Sequence, residues 1–380
     1  MTASPIVGPA YRARSRNISD QRCVNLYLEI IETKTGKEPA YLSACPGLVY
    51  QADIGIGPIR GLHTVGNTLY VASGSSLYAV APGFVPTQIG QMLTTSGKVS
   101  IIDNGVQVAF SDRVQLYVWA AGMLTQPLNG GQLPPGDLVY QDTLGFFNQL
   151  GTFNLWQSNA NDLTTWNALN FTTVDGSQQP IVALTDLHRQ VVPMKGNSAE
   201  FWINAGLPSS GIPGFVLQRL DGVFPQIGAV NASSVVNAGE EICWLGADDG
   251  GHGVFYAMGG YEPRRISTYD QEYTISQYRT ISDCIGWSYI QAGHRFVVWN
   301  FPTADQTWVY DMTVSAQLGY PCWHERASFY NGQFHVYEPN CAALFSGAII
   351  VGSNQTGNLY ELDLTSVSDG AIPSPPELIE

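Results

Sequence analysis

The amino-acid sequence predicts an all-β fold, a β-propeller of about seven four-stranded blades closed by an N-terminal strand, with six blades as the alternative if a weak unit merges with its neighbour. Three observations predict it. Strand–turn–strand triplets recur at a spacing of roughly 35 to 50 residues, inside the range of propeller blades. The chain has 380 residues, past the point at which a single core usually stops growing, so its core must be divided or repeated. A content of 44% hydrophobic, 11% aromatic and 13% charged residues describes a packed chain, and Gly 40 with Pro 22 supplies many tight turns.

The clearest repeat lies in residues 221–268. Runs at 232–237, 241–246 and 253–257 are rich in Val, Ile, Trp, Phe and Tyr, and Asn-Ala-Gly and Asp-Asp-Gly-Gly turn signals separate them. Residues 263–267 complete a four-stranded unit. Such a sheet has two apolar faces and is marginal until neighbours cover both, so one unit implies others. IRGLHTVGNTLYVASGSSLYAV (59–80) and VSIIDNGVQVAFSDRVQLYVW (99–119) repeat the pattern, and further triplets begin near Leu138, Ile181, Cys284 and Gly332.

Taken in order, residues 1–40 are an arm and connecting segment, 41–364 the propeller, and 365–380 a Pro-rich tail in which the repeat has stopped. Within the arm, 24–31 reads as a strand or short helix ended by a polar stretch. Residues 40–50, turning at Cys45-Pro46-Gly47, have nothing before them to pair with. Tyr41, Leu42 and Val49 are therefore assigned to a strand that joins the last blade and closes the ring, which protects sheet edges. The turn 158–165 joins strands carrying Trp156 and Trp166 and invites comparison with the sialidase Asp-box, but the Asp and Gly positions both fail. The Pro- and Gly-rich insertion 205–214 is an exposed loop suited to a partner. Trp287, Trp299, Trp308 and Trp323 alternate within strands and are assigned to the core.

The formal charge of -14 argues against nonspecific DNA binding, which relies on a basic face. The imbalance is uneven. Arg12, Arg14, Arg16 and Arg22 face one acid, Asp20, in the first 22 residues; subtracting these from 17 basic and 31 acidic residues leaves 13 against 30 in an acidic body. Those arginines are either a solvated tail or a contact with an acidic neighbouring surface. Arg264 and Arg265 alternate to opposite faces after Pro263, as structural salt bridges or a subunit contact.

No catalytic, cofactor or metal residues are expected. The histidines form no H-E-x-x-H, and Trp323-His324-Glu325-Arg326 lacks a second His; no phosphate-cradling loop or G-x-S-x-G elbow occurs. Asp248 and Asp249 supply two oxygen-bearing side chains where calcium takes about six to eight ligands, so a hairpin turn is the reading. Cys23, Cys45, Cys243, Cys284, Cys322 and Cys341 show no metal or disulfide spacing and are expected to be buried thiols. With no apolar run long enough for a signal peptide or a membrane-spanning segment, the expectation is a soluble protein made in the cytoplasm.

QRCVNLYLEI (21–30), ACPGL (44–48), TTWNALNF (164–171), AEFWINAG (199–206) and above all GGYEPRRIST (259–268) resemble, in this order, the tail accessory or packaged-DNA stabilisation proteins of short-tailed phages. The resemblance covers about 21–364. It implies a propeller body assembled as a ring, usually of six copies, beneath the portal and its adaptor ring. It further implies a virion-tail location, contact with tail fibre or needle proteins, passage of double-stranded DNA through the bore, and no catalysis. Duplex DNA carries about one negative charge per 1.7 Å, so a bore that lets it pass should be acidic or neutral. The alternatives are a carbohydrate-binding propeller on a host-facing surface and, behind it, a propeller glycoside hydrolase.

Overall fold

Seven sheets follow one another along the chain, the first six antiparallel and connected in simple up-and-down order. This computed structural model describes residues 11–12, 20–31, 40–127, 134–206, 214–247, 251–366 and 368–371. Blades 1 to 6 occupy residues 59–91, 100–125, 135–173, 183–219, 236–265 and 285–325, with four strands apiece. Blade 7 takes three strands from residues 339–363 and two from elsewhere in the chain. The fold is therefore the predicted propeller, with seven blades rather than six.

Why the sheets need one another is visible in the core. The buried apolar residues fall into clusters shared by neighbouring blades: Leu77, Val108 and Phe110 between blades 1 and 2, Trp244 with Val192 between 4 and 5, Trp299 with Phe255 between 5 and 6. The ring also joins across its ends, because Ile59 and Val71 of blade 1 pack with Phe345, Ile350 and Leu359 of blade 7. Each strand alternates its side chains between the two adjacent clusters, so both faces of every blade are buried. Trp287, Trp299, Trp308 and Trp323 are all in this core.

The chain ends depart from the sequence reading. Strands β1 (Tyr11–Arg12) and β2 (Asp20–Gln21) pair with each other, and β3 (Leu26–Ile30) pairs with β4 (Ala40–Ala44). Tyr41 and Leu42 thus lie in a separate hairpin opposite Glu29 and Leu28, not in the closing strand. Closure belongs to β5 (Gly47–Asp53), where Val49 sits opposite Glu361 and Leu48 opposite Leu362 of blade 7. Beyond Leu364, Asp369–Ala371 adds a short parallel strand on the other edge of β5.

Two internal assignments are also corrected. Residues 232–234 form a 3-10 turn capped by Asn231, so the first strand of blade 5 is only Val236–Asn237. The unit expected near Gly332 begins at Pro339, because Ala327–Tyr330 and Gln333–Val336 form a separate hairpin between blades 6 and 7. Two helices escaped the sequence reading. Helix α1 (Tyr269–Ser276) starts at a Thr268–Gln271 capping box, and α2 (Met312–Leu318) runs from an Asp311 cap to Gly319 at φ 75°. No helix among the described residues is long and apolar enough to cross a membrane.

Candidate functional site

Three of the sequence-assigned arginines, Arg22, Arg264 and Arg265, lie on one side of the ring, around the outer edges of blades 5 and 6. Arg22 reaches the last strand of blade 6, where its Nε and Nη2 donate to the Glu325 carboxylate at 2.9 and 2.8 Å. The chain around it is stitched to the same edge. Asn25 N donates to Glu325 O and Glu325 N to Cys23 O, both at 2.8 Å, while the Asn25 side chain bonds both backbone groups of Ala327 at 2.9 Å. An arm segment thus extends blade 6 outward.

Below it the β3–β4 hairpin is pinned by charge. His294 has Asp311 Oδ2 at 2.7 Å from Nδ1 and Glu29 Oε2 at 2.8 Å from Nε2. The string His324-Glu325-Arg326 is buried throughout. Burial, then the charges of Arg326 and His294, push His324 down to about 3, so it stays neutral. Arg326 donates to Tyr289 Oη at 3.1 Å and Pro46 O at 2.6 Å, and lies over the Tyr337 ring. These three residues, whose spacing in the sequence fits no metal site, tie the N-terminal segment to blades 6 and 7.

Arg264 and Arg265 form the fourth strand of blade 5 and separate as alternation requires. Arg264 Nη2 donates to Glu241 Oε2 at 2.5 Å and its Nη1 to Tyr310 Oη at 3.3 Å; Arg265 Nε donates to Glu272 Oε1 at 2.5 Å and its guanidinium lies 3.9 Å from the Tyr269 ring centre. Both line, with Arg295 and Tyr320, a groove between blade 5 and α2. Each is therefore paired inside its own chain while its outer face stays open to solvent.

Of the other assignments, Arg12 lies in β1, and Arg14, Arg16, Asp248, Asp249 and most of the 205–214 loop lie outside the described residues. Ala247 pairs with Gly253 across the Asp248-Asp249 connection. All six cysteines are free thiols. Burial raises Cys45 to about 11 and Cys322 and Cys341 to about 12, which leaves them protonated and unreactive as nucleophiles. No cluster of metal-binding side chains occurs among the described residues.

A family model described as Bacteriophage P22 Gp10, beta-propeller, matches residues 3–367. The chain belongs to this Gp10 family. It is accordingly a phage structural protein built as a β-propeller, as the GGYEPRRIST resemblance implied. No curated protein sequence matches it. Among solved structures, the extracellular domain of BT4673 from B. thetaiotaomicron aligns with a TM-score of 0.53 at 8% identity over 84% of this chain and 40% of that one. The computationally designed Ika8 protein aligns with a TM-score of 0.46 at 13% identity, over 84% of this chain and 99% of that one. At such identities the BT4673 likeness is one of fold alone.

Proposed function

We propose that this Gp10-family chain is the tail nozzle or hub protein of a short-tailed phage. Copies close into a ring, six by the family resemblance, beneath the portal-adaptor ring; the ring lines the DNA ejection channel and helps retain the packaged genome. The observation that carries this reading is the family match across residues 3–367. The charge supports it, since a wall of net -14 per copy repels the duplex instead of gripping it. No catalytic step belongs to this role. Tail fibre or needle proteins are its distal partners, and the virion tail its location.

Ring closure needs a head-to-tail contact that a rotation can complete. Arg12, Arg14 and Arg16 are the proposed donors to an acidic neighbour, and Arg22 on Glu325 fixes where that arm leaves the ring. Arg264 and Arg265, on the same side, offer their solvent faces to the adjoining subunit. Imaging virions that carry a tagged copy tests the reading. A closed ring of six tagged subunits around the distal channel is expected; a protein missing from virions, or present as isolated copies on the outer surface, overturns it.

A further inference from the structure

At the ring axis, on the face where each blade's innermost strand begins, lies a cavity of about 780 Å³. Its walls come from the starts of the innermost strands of blades 1, 2, 5, 6 and 7 and from the connections between blades. That volume falls within the range of ligand pockets and far exceeds what a single ion needs.

The chemistry of the wall is unusual for this molecule. Its titratable groups are Arg60, Lys98, Asp305, the Cys341 thiol and the Tyr330 phenol, a net positive patch on a body of charge -14. Arg60 is buried and has all five N–H groups engaged, by Gly74 O, Thr94 O and Oγ1, Ser96 O and Gly97 O. It contributes charge but no free donor, and Asp112 behind Thr94 offsets part of that charge. Asp305 is occupied by His335 Nδ1 at 2.9 Å and Val336 N at 2.6 Å. Lys98, half-buried, makes no ion pair or hydrogen bond among the described residues.

Three more groups on this wall lack partners among the described residues. Trp287 is 5% exposed and its indole N–H has no acceptor; the side-chain oxygens of Asn340 and Asn354 are buried without donors. A buried polar atom left unpaired costs about 1–3 kcal/mol, so one donor and two acceptors on a single cavity call for an occupant that offers both. The polypeptide backbone does so at every residue.

Apolar side chains frame the same face. Ile56 (95% exposed) and Leu93 (66%) stand on the connections flanking blade 1, and Phe329 (60%), Tyr330 (46%) and Phe334 (48%) on the hairpin between blades 6 and 7. Tyr330 also lines the cavity. A saccharide would use aromatic rings and hydrogen bonds but gain little from exposed Ile and Leu, whereas a peptide's side chains pack on both.

We propose that this axial cavity docks an extended, acidic segment of a partner protein, its backbone satisfying Trp287, Asn340 and Asn354, its carboxylate meeting Lys98, and its apolar side chains covering Ile56, Leu93 and the 327–336 hairpin. This role goes beyond that of a channel wall and needs no ring, so the purified chain tests it. The probe is a displayed library of random linear peptides selected on the intact protein. Enrichment of sequences that place Asp or Glu beside Leu, Ile or Phe is expected. A labelled enriched peptide should bind Lys98→Glu about tenfold more weakly, weaken further with salt, and lose affinity to Trp287→Phe, which keeps the ring packing but removes the donor. Ile56→Ser, at a position 95% exposed, should weaken it with no change in melting temperature. No enrichment, peptides that bind Lys98→Glu as tightly as the parent, or binding only to oligosaccharides would each overturn the assignment.

Discussion

His294 holds its proton because both ring nitrogens face carboxylates, and only the imidazolium can donate to Asp311 and Glu29 at once. Burial pushes its pKa down, but the hydrogen bonds and charges of those two acids outweigh it and leave the net shift upward from 6.5. His324 is the opposite case, pushed down to about 3 and neutral. The raised group contributes stability that is whole below about pH 6.5 and fades as pH climbs through its folded value; the depressed one contributes above about 6.5 and fades as pH falls toward 3. Thermal melts across mildly acidic to mildly alkaline buffers should therefore lose midpoint temperature on the alkaline side, and His294→Gln should flatten that limb. An unchanged limb would show that the proton is held elsewhere. Lys195 gives a second residue-scale test. It is fully buried, donates at 2.7 Å to Val174 O and Ser177 O, and lies 3.7 Å from the equally buried Glu200, clamping the connection into blade 4. Lys195→Met leaves that carboxylate buried without its cation and should cost about 3–5 kcal/mol in urea unfolding, with Glu200→Gln added to it restoring part of the loss.

The N-terminal elements do two separable jobs. Asn25, in the left-handed region at φ 56°, bonds both backbone groups of Ala327 and so fixes the arm to blade 6. Asn25→Gly keeps the backbone freedom and loses the bonds, about 1–2 kcal/mol; Asn25→Ala adds about 1–2 kcal/mol of strain, and both should speed proteolysis of the arm. β5 does the other job. Truncation before Cys45 removes the arm but keeps Pro46 for Arg326 and the ladder to Asn358–Asp363, so a single cooperative transition should survive. Truncation through Asp53 bares that edge and should yield aggregates or swapped oligomers by light scattering; a soluble, cooperative monomer would mean that the end-to-end core suffices. These contacts explain what the sequence could and could not show. Blades were legible because alternation and Gly or Asn turns are local, and Val49 could be placed since a ring must close. The hairpin of Tyr41 with Glu29 and the Arg22–Glu325 pair were not, because partners 12 and 303 residues apart leave no periodic trace. The helices had left one, since Thr268-x-x-Gln271 and Asp311 before Gly319 are end signals, overlooked among strands.

At the scale of the whole molecule, the acidic balance and the ring fold work toward one end. A propeller buries every edge but those at its rim, which leaves loops, turns and the rim to meet partners, and in the proposed channel its charge would decide whether a duplex is held or passes. With 17 basic against 31 acidic residues, and with Arg22, Arg264 and Arg265 each paired to a carboxylate of their own chain, little unneutralised positive charge is left for phosphates. Fluorescence anisotropy of a short labelled duplex should therefore stay flat on titration with the purified protein even at low salt, where nonspecific binders are at their tightest. Tight binding that weakens steeply with salt would show a basic track able to hold the genome by its backbone. On the proposed role, reversing solvent-facing acids to Lys should create such a track and slow genome release from assembled virions, whereas neutral substitutions should leave release unchanged, because passage needs only the absence of a grip.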